Sequence, residues 1–231
     1  TKDMVGQAPK LPGIQGTSAN AINNADMKSY GWEMELSWRD RINEFNYGVR
    51  FTLADGQREV TKYPNESGDI NTWYAGKLDG TIWGYTTVGI AQTQEEMDAH
   101  LANNKPNWGS KWGAGDVMYA DLNGDGEVAS GSSTLGDHGD LTVIGNSYAR
   151  YNFGLTLDGS WKGLDFSVFL QGVMKRDYWL SGPYFWGASG DEWQSACFTE
   201  HLDYWTPDNP YAYYPKPYFG GISKNQQFQT P

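Results

Sequence analysis

The sequence predicts an all-β chain: part of a transmembrane antiparallel β-barrel, contributed as two hairpins, with long extracellular loops and one short helix. Three observations predict it. Four segments alternate apolar and polar residues with a period of two. The links within each pair of segments are short, whereas the other connections are long. Bulky aromatic residues gather near the segment ends, where an interfacial girdle would need them.

In the first segment, Tyr30 to Asp40, Trp32, Met34, Leu36 and Trp38 share one face, and Gly31, Glu33, Glu35, Ser37 and Arg39 the other. In Phe45 to Ala54, Phe45, Tyr47, Val49, Phe51 and Leu53 oppose Asn46, Gly48, Arg50 and Thr52. In Tyr151 to Asp158, Tyr151, Phe153, Leu155 and Leu157 oppose Asn152, Gly154, Thr156 and Asp158. In Leu164 to Gln171, Leu164, Phe166, Val168 and Leu170 oppose Asp165, Ser167 and Gln171, and Phe169 breaks the polar face. The expected lipid-facing set is Trp32, Met34, Leu36, Phe51, Leu53, Phe153, Leu155, Phe166 and Val168. Glu33, Glu35 and Arg50 are expected to face the lumen. Any half-buried antiparallel sheet alternates in this way. The terminal aromatics (Tyr30, Trp38, Phe45, Tyr47, Tyr151, Trp161) and the loop lengths favour a barrel wall.

Short links of 39–44 and 158–163 join the two pairs. The expected organisation is a loop and strand lead-in over 1–28 and a barrel hairpin over 29–55. A long extracellular loop over 56–146 follows, then a second hairpin over 147–174 and an aromatic-rich loop over 175–231.

Composition restricts the function classes. The net charge is −11, which opposes nucleic-acid binding and docking on an anionic membrane surface. Charged residues make up 19% and aromatics 15%, so the chain has ample apolar surface and is not expected to be disordered. Cys197 is the only cysteine, so no disulfide can form within the chain. The first residues, Thr1 to Gln15, lack the apolar core of a signal peptide, and no run of about 18 apolar residues could span a membrane as a helix.

The long loops carry the candidate sites. Thr93-Gln94-Glu95-Glu96 reads as a capping box opening a short helix to about Asn103. Asp121-Leu122-Asn123-Gly124-Asp125-Gly126-Glu127-Val128 matches the first half of an EF-hand-type calcium loop. Side chains at positions 1, 3 and 5 of such a loop (Asp121, Asn123, Asp125) converge on one ion. Gly126 permits the sharp turn, and the Glu127 carbonyl faces inward. The closing carboxylate expected at position 12 is replaced by Ser132, which cannot supply it; Asp137 and Asp140 lie further on. The same residues could instead form a metal-free Asx turn. His138 is read as a solvated loop residue, because hard cations prefer oxygen. Aromatic stretches over 73–85, 108–112, 178–193 and 204–219 supply Trp83, Trp186, Trp193 and Trp205 as candidate contacts to a ligand or partner protein. The competing role for each is packing within its loop.

Catalytic readings are poor, and the chain is not expected to be an enzyme. Asp191 and Glu192 are sequence neighbours, with nothing to place a second carboxylate at glycosidase spacing. His100, His138 and His201 occur without nucleophile motifs, and no phosphate-cradling Gly loop is present.

Taken in order, several stretches resemble the later barrel region of the SusC/RagA-type TonB-dependent outer-membrane transporters. They are Lys28 to Glu33, Gly80 to Tyr85, Gly115-Asp116-Val117 running into Asp121 to Gly126, Leu141 to Asn146, Lys162 to Val173, Trp205 to Pro210, and Ala212 to Pro215. They cover nearly the whole chain after about residue 20. The resemblance implies a fragment of a barrel of about 22 strands with a plugged lumen. It implies a chain without the plug or the TonB-contacting segment, ending near the point where the next strand should begin. It implies energy-dependent import of an oligomeric nutrient, glycan or peptide, across a Gram-negative outer membrane. The implied partners are a SusD-like surface lipoprotein and, through a part absent from this chain, TonB. It also implies a structural Ca²⁺ held by Asp121, Asn123, Asp125 and Glu127 and closed by Asp140, although the spacing from Asp121 is longer than the family's. The alternative reading is a soluble calcium-stabilised carbohydrate-binding β module.

Overall fold

Two antiparallel hairpins form the sheet. In the first, β2 (Asn23–Ile42) pairs with β3 (Phe45–Lys62) across a turn in which Asn43 holds a φ of 54°. Asparagine tolerates this left-handed conformation better than most residues. In the second, β10 (Arg150–Trp161) pairs with β11 (Leu164–Lys175) across Lys162 and Gly163, both at positive φ. Two positive-φ residues make the type I′ turn, whose twist matches that of the strands. A short β1 (Met4–Val5) adds to the start of β2, and β3 pairs with β10, giving the order β1-β2-β3-β10-β11. The computed structural model describes residues 1–6, 20–180, 182–186, 197–218, 224–227 and 229–230.

The strands of the first hairpin run well beyond the alternating segments. Their extension is polar: Asp26 lies opposite Lys62, and Lys28 opposite Glu59. Opposite charges across an antiparallel pair stabilise it without an apolar face, so periodicity in hydrophobicity does not report them.

Register aligns the apolar faces of all four long strands. Met34 lies opposite Leu53, and Leu53 opposite Phe153. The next row is Leu36-Phe51-Leu155-Leu170, and the next Trp38-Val49-Leu157-Val168. Ile42-Phe45-Trp161-Leu164 closes the turn end, where the Phe45 ring stacks with those of Tyr47 and Phe166 at 6.2 and 6.3 Å. The opposite face carries Glu35-Thr52-Gly154-Gln171 and Ser37-Arg50-Thr156-Phe169. There Arg50 and Glu35 form an ion pair at 2.9 Å. At its other end the apolar face is bounded by a two-pronged ion pair, Arg150 Nε and Nη2 each 2.5 Å from an oxygen of Asp55. The apolar face is open: Leu36 is 58% exposed, Trp38 63% and Leu164 68%. A continuous apolar surface of this kind marks a place for a lipid or protein partner. The five strands form an open sheet among the described residues.

The chain divides into two compact units, one of 1–66, 73–81 and 146–178 and the other of 67–72, 82–145 and 179–231. The second unit has its own small core, although its sequence reads as loop. Apart from the end residues Thr81 and Asn146, which belong to the first unit, its elements are β4 (Thr81–Gly84), β5 (Thr87–Ile90), α1 (Gln94–Leu101), β6 (Lys105–Pro106), β7 (Val117–Tyr119), β8 (Glu127–Val128) and β9 (Thr142–Asn146). A second, four-residue helix, α2 (Pro183–Trp186), and a 3-10 turn, Thr199–Leu202, follow. β4 pairs with β9, β5 with β7, and β6 with β8, the last pair being parallel. Tyr119, Met97, Val128 and Ala91 are fully buried. Rings of Tyr85, Trp108 and Trp112 stand within 6.1 Å of Tyr119.

Helix α1 starts where expected, with Thr93 Oγ1 accepting from Glu96 N–H at 3.1 Å. The Glu96 carboxylate accepts from Gln92 N–H, one residue before the cap, so the reciprocal half of the capping box is displaced. The helix is anchored by Met97, packed with Ala91 and Met118, and by His100, whose Nε2 bonds the Tyr119 carbonyl at 2.8 Å.

Candidate metal loop and aromatic sites

The acidic loop follows β7 and leads into β8. Gly124 and Gly126 take φ of 80° and 89°, which turn the chain back on itself. Asp121 organises the turn: one carboxylate oxygen accepts from Gly124 N–H at 2.6 Å, the other from Gly126 N–H at 2.7 Å. Asn123 Oδ1 accepts from Asp125 N–H, and Asp125 Oδ1 accepts from Glu127 N–H. In the parallel pairing with β6, the carbonyls of Gly126 and Val128 accept from Lys105 and Asn107. The intervening Glu127 carbonyl therefore lies outside that ladder.

Of the two downstream acids, Asp140 is the one seated against the loop. It is fully buried, and its carboxylate accepts from the N–H groups of Leu122, Asn123 and Ala129 at 2.7, 3.2 and 2.7 Å. Asp137 closes a different turn, accepting from Ser132 N–H and Oγ. The candidate donors are all oxygens, the type a hard cation takes. A carboxylate oxygen that accepts one N–H retains a second lone pair, whereas Asp140 Oδ1 accepts two, from Leu122 and Asn123. Among the described residues, no three His, Cys, Asp or Glu side chains are grouped as metal ligands. In this conformation the acids hold backbone N–H groups.

Those N–H groups, Gly126 first, lower the Asp121 pKa below the usual carboxylate range. The Ser132 hydroxyl does the same for Asp137. A carboxylate with a lowered folded-state pKa stabilises the fold above its unfolded value, about 3.9, and that contribution is lost as pH falls through the folded value. The loop should therefore stay closed near neutrality and open only at strongly acidic pH. Amide exchange at Gly124 and Gly126, followed against pH, checks this; loss of protection already near pH 5 would contradict it.

The four tryptophans part company. Trp205 is 6% exposed, and its Nε1 donates to Gln92 Oε1 at 2.9 Å. A Cβ at Gly115 would collide with its ring, so Trp205 packs inside the second unit. Trp83 is half-buried beside the His138 ring, at 5.5 Å. Trp186 lines a cavity with His201, Tyr204, Tyr214 and Tyr218. Trp193 lies outside the described residues. His138 is half-buried rather than solvated, and its buried Nδ1 has no hydrogen-bond partner among the described residues.

One buried polar cluster has no sequence signature. Asp116, fully buried, receives Lys224 Nζ at 2.7 Å, Asn225 Nδ2 at 3.0 Å, Tyr218 Oη at 3.2 Å and Gly113 N–H at 2.8 Å. Asn225 Oδ1 accepts from Val117 N–H, and Lys224 also donates to the carbonyls of Ser110 and Lys111. The cluster ties 224–225 to a segment more than a hundred residues earlier. Proximity of that kind leaves no local pattern.

No family model matches the chain. A TonB-dependent receptor, P26, of Formosa agariphila is 25% identical over 221 aligned residues, covering 89% of this chain and 20% of that protein. Among solved structures, the RagAB peptide transporter matches 99% of this chain and 23% of its own, with a TM-score of 0.59 and 16% identity. The chain thus spans about a fifth of the length of the curated relative it matches. It is distantly related to TonB-dependent receptors and shares the fold of part of a RagAB transporter chain. Both names denote receptor or transport proteins, and neither denotes an enzyme.

Proposed function

We propose that this chain is a segment of an outer-membrane active transporter that imports oligomeric nutrients, glycan or peptide. The observation that carries the proposal is the in-register apolar face of four long strands, left open to its surroundings. A wall of this kind belongs against lipid, with the Glu35 and Arg50 face toward the lumen. The distant TonB-dependent relative supports the same reading. In it, the second unit and the aromatic loops lie outside the cell, in the outer membrane of a Gram-negative bacterium. The partners are a SusD-like surface lipoprotein over the barrel mouth and TonB, engaged through another part of the protein. In this proposal Trp83 and Trp186 meet substrate or the lipoprotein. Alanine at each, in the native polypeptide, should reduce uptake or lipoprotein affinity while the second unit still melts at the same temperature. Unchanged uptake and affinity would remove them from the binding face. A soluble carbohydrate-binding module would be monodisperse without detergent, whereas a barrel wall would require it.

The acidic loop is proposed to hold a structural Ca²⁺, with side-chain oxygens of Asp121, Asn123, Asp125 and Asp140 and the Glu127 carbonyl as ligands. When bound, such an ion supplies charge that fixes the Gly-rich turn; Mg²⁺ would demand tighter octahedral geometry. The loop's oxygen-only donors and the seating of Asp140 against it support this. Calcium in millimolar excess should raise the melting temperature of the native protein, and Asp125→Ala should abolish that increment. An increment that survived Asp125→Ala and Asp140→Asn alike would place the ion elsewhere.

A further inference from the structure

Asn123-Gly124 is the chain's one Asn-Gly bond, and it lies on an exposed turn. Asn-Gly is the dipeptide most open to spontaneous deamidation, because glycine presents its backbone nitrogen without a side chain. In that reaction Gly124 N loses its proton to a base and attacks Asn123 Cγ. The N–Cγ bond forms, the Cγ–Nδ2 bond breaks, and ammonia leaves. Water then opens the cyclic imide at one of its two carbonyls, giving aspartate or isoaspartate. No oxidant or cofactor is needed.

Among the described residues nothing shields this bond sterically: a Cβ built on Gly124 meets none of their atoms within 4 Å. Hydrogen bonding does. The nucleophile itself, Gly124 N–H, donates to Asp121 Oδ1 at 2.6 Å. Deprotonating it would forfeit a charge-assisted bond and set a nitrogen anion against a carboxylate. The electrophile is held as well. Asn123 Oδ1 accepts from Asp125 N–H at 2.9 Å, and Nδ2 donates to Asp125 Oδ2 at 3.0 Å.

We propose that Asn123 is a gated deamidation site and that the Asp121 carboxylate is the gate. Conversion to aspartate would add a carboxylate at the third position of an already acidic loop. Conversion to isoaspartate would insert a methylene into the backbone between residues 123 and 124 and break the turn. The loop is therefore a chemical clock that runs only when Asp121 lets go.

The test is peptide-mapping mass spectrometry of the native polypeptide, incubated at mildly alkaline pH in buffer containing a chelator, against the same chain in denaturant. Asn123 should persist in the folded protein and convert in the denatured one. Asp121→Asn keeps an acceptor oxygen but removes the charge. It should speed conversion about tenfold or more, the loss expected for a hydrogen bond to a charged group. Asp125→Asn leaves Gly124 N–H engaged and should change the rate far less. Circular dichroism and protease resistance identify any variant that has unfolded, and such a variant is replaced by Asp121→Glu, whose carboxylate should slow the reaction relative to Asn. Equal rates in folded and denatured chains would overturn the proposal. So would an Asp121→Asn rate equal to that of the parent, or an Asp125→Asn rate equal to that of Asp121→Asn.

Discussion

Asp116→Ala should cost the second unit about 3–5 kcal/mol and release 224–225 from its core, because it strands a buried lysine. The side chains of Lys224 and Asp116 are 7% and 0% exposed, so solvent screening does not weaken the pair. The ammonium also lies over the rings of Trp112 and Tyr218, at 4.9 and 4.4 Å. Without Asp116 it would keep two carbonyls and those ring faces, and the Asn225 amide would lose its 3.0 Å acceptor while keeping the Lys216 carbonyl at 3.4 Å. Lys224→Met combined with Asp116→Ala should recover much of the loss, since removing both charges leaves neither unpaired. Thermal melting of the single and double variants measures this. A double variant as unstable as the sum of the singles would show that the pair itself is worth nothing and that packing alone is lost.

The second large effect is expected in the sheet. Leu155 stands between Phe51 and Leu170 in the middle of the apolar face. Leu155→Arg in the native protein should cost about 2–4 kcal/mol of folding free energy in lipid, the value for a charge near the midplane of a barrel wall. Thr156 is its neighbour on the other face, between Arg50 and Phe169. Thr156→Arg, at a half-buried site opposite Arg50, should cost less, about 1 kcal/mol or below from the like charge across the pair. Equal costs at the two positions would contradict the assignment of faces. Folding titrations in lipid vesicles supply both values.

The strands were legible because a period of two in apolar residues carries through to a continuous face once the register is known. Met34, Leu36, Phe51, Leu53, Phe153 and Leu155 fall on that face as the alternation requires. The polar ends of β2 and β3 were not legible, because Lys28 opposite Glu59 is a pairing between distant residues. The helix start at Thr93 was legible through its cap, while its length and the displacement of Glu96 depend on what packs against it. The larger surprise is the second unit. Its β5-β7 and β6-β8 pairs are only two to four residues long, too short to show periodicity, and tertiary contacts such as Met97 on Met118 make them strands and core. In the acidic loop the order of residues located the turn and its glycines. The residues alone left Asp137 and Asp140 open and the family resemblance implied Asp140; the N–H groups of Leu122, Asn123 and Ala129 bond Asp140. Trp205 shows the limit of composition: an aromatic in a loop-like stretch can be a binding residue or a core residue, and its hydrogen bond to Gln92 and the space left by Gly115 make it core.

The proposed placement of the row through Leu36, Phe51, Leu155 and Leu170 against hydrocarbon rests on the register of the strands. It is tested most directly by a nitroxide label at Leu36, with a second at Ser37, in the native protein reconstituted into vesicles. Collision with oxygen and with a water-soluble relaxation agent reports the surroundings of each label. The expected result is that the Leu36 label meets oxygen and is hidden from the aqueous agent, while the Ser37 label shows the reverse. A Leu36 label as accessible to the aqueous agent as the Ser37 label would mean that this row does not face lipid.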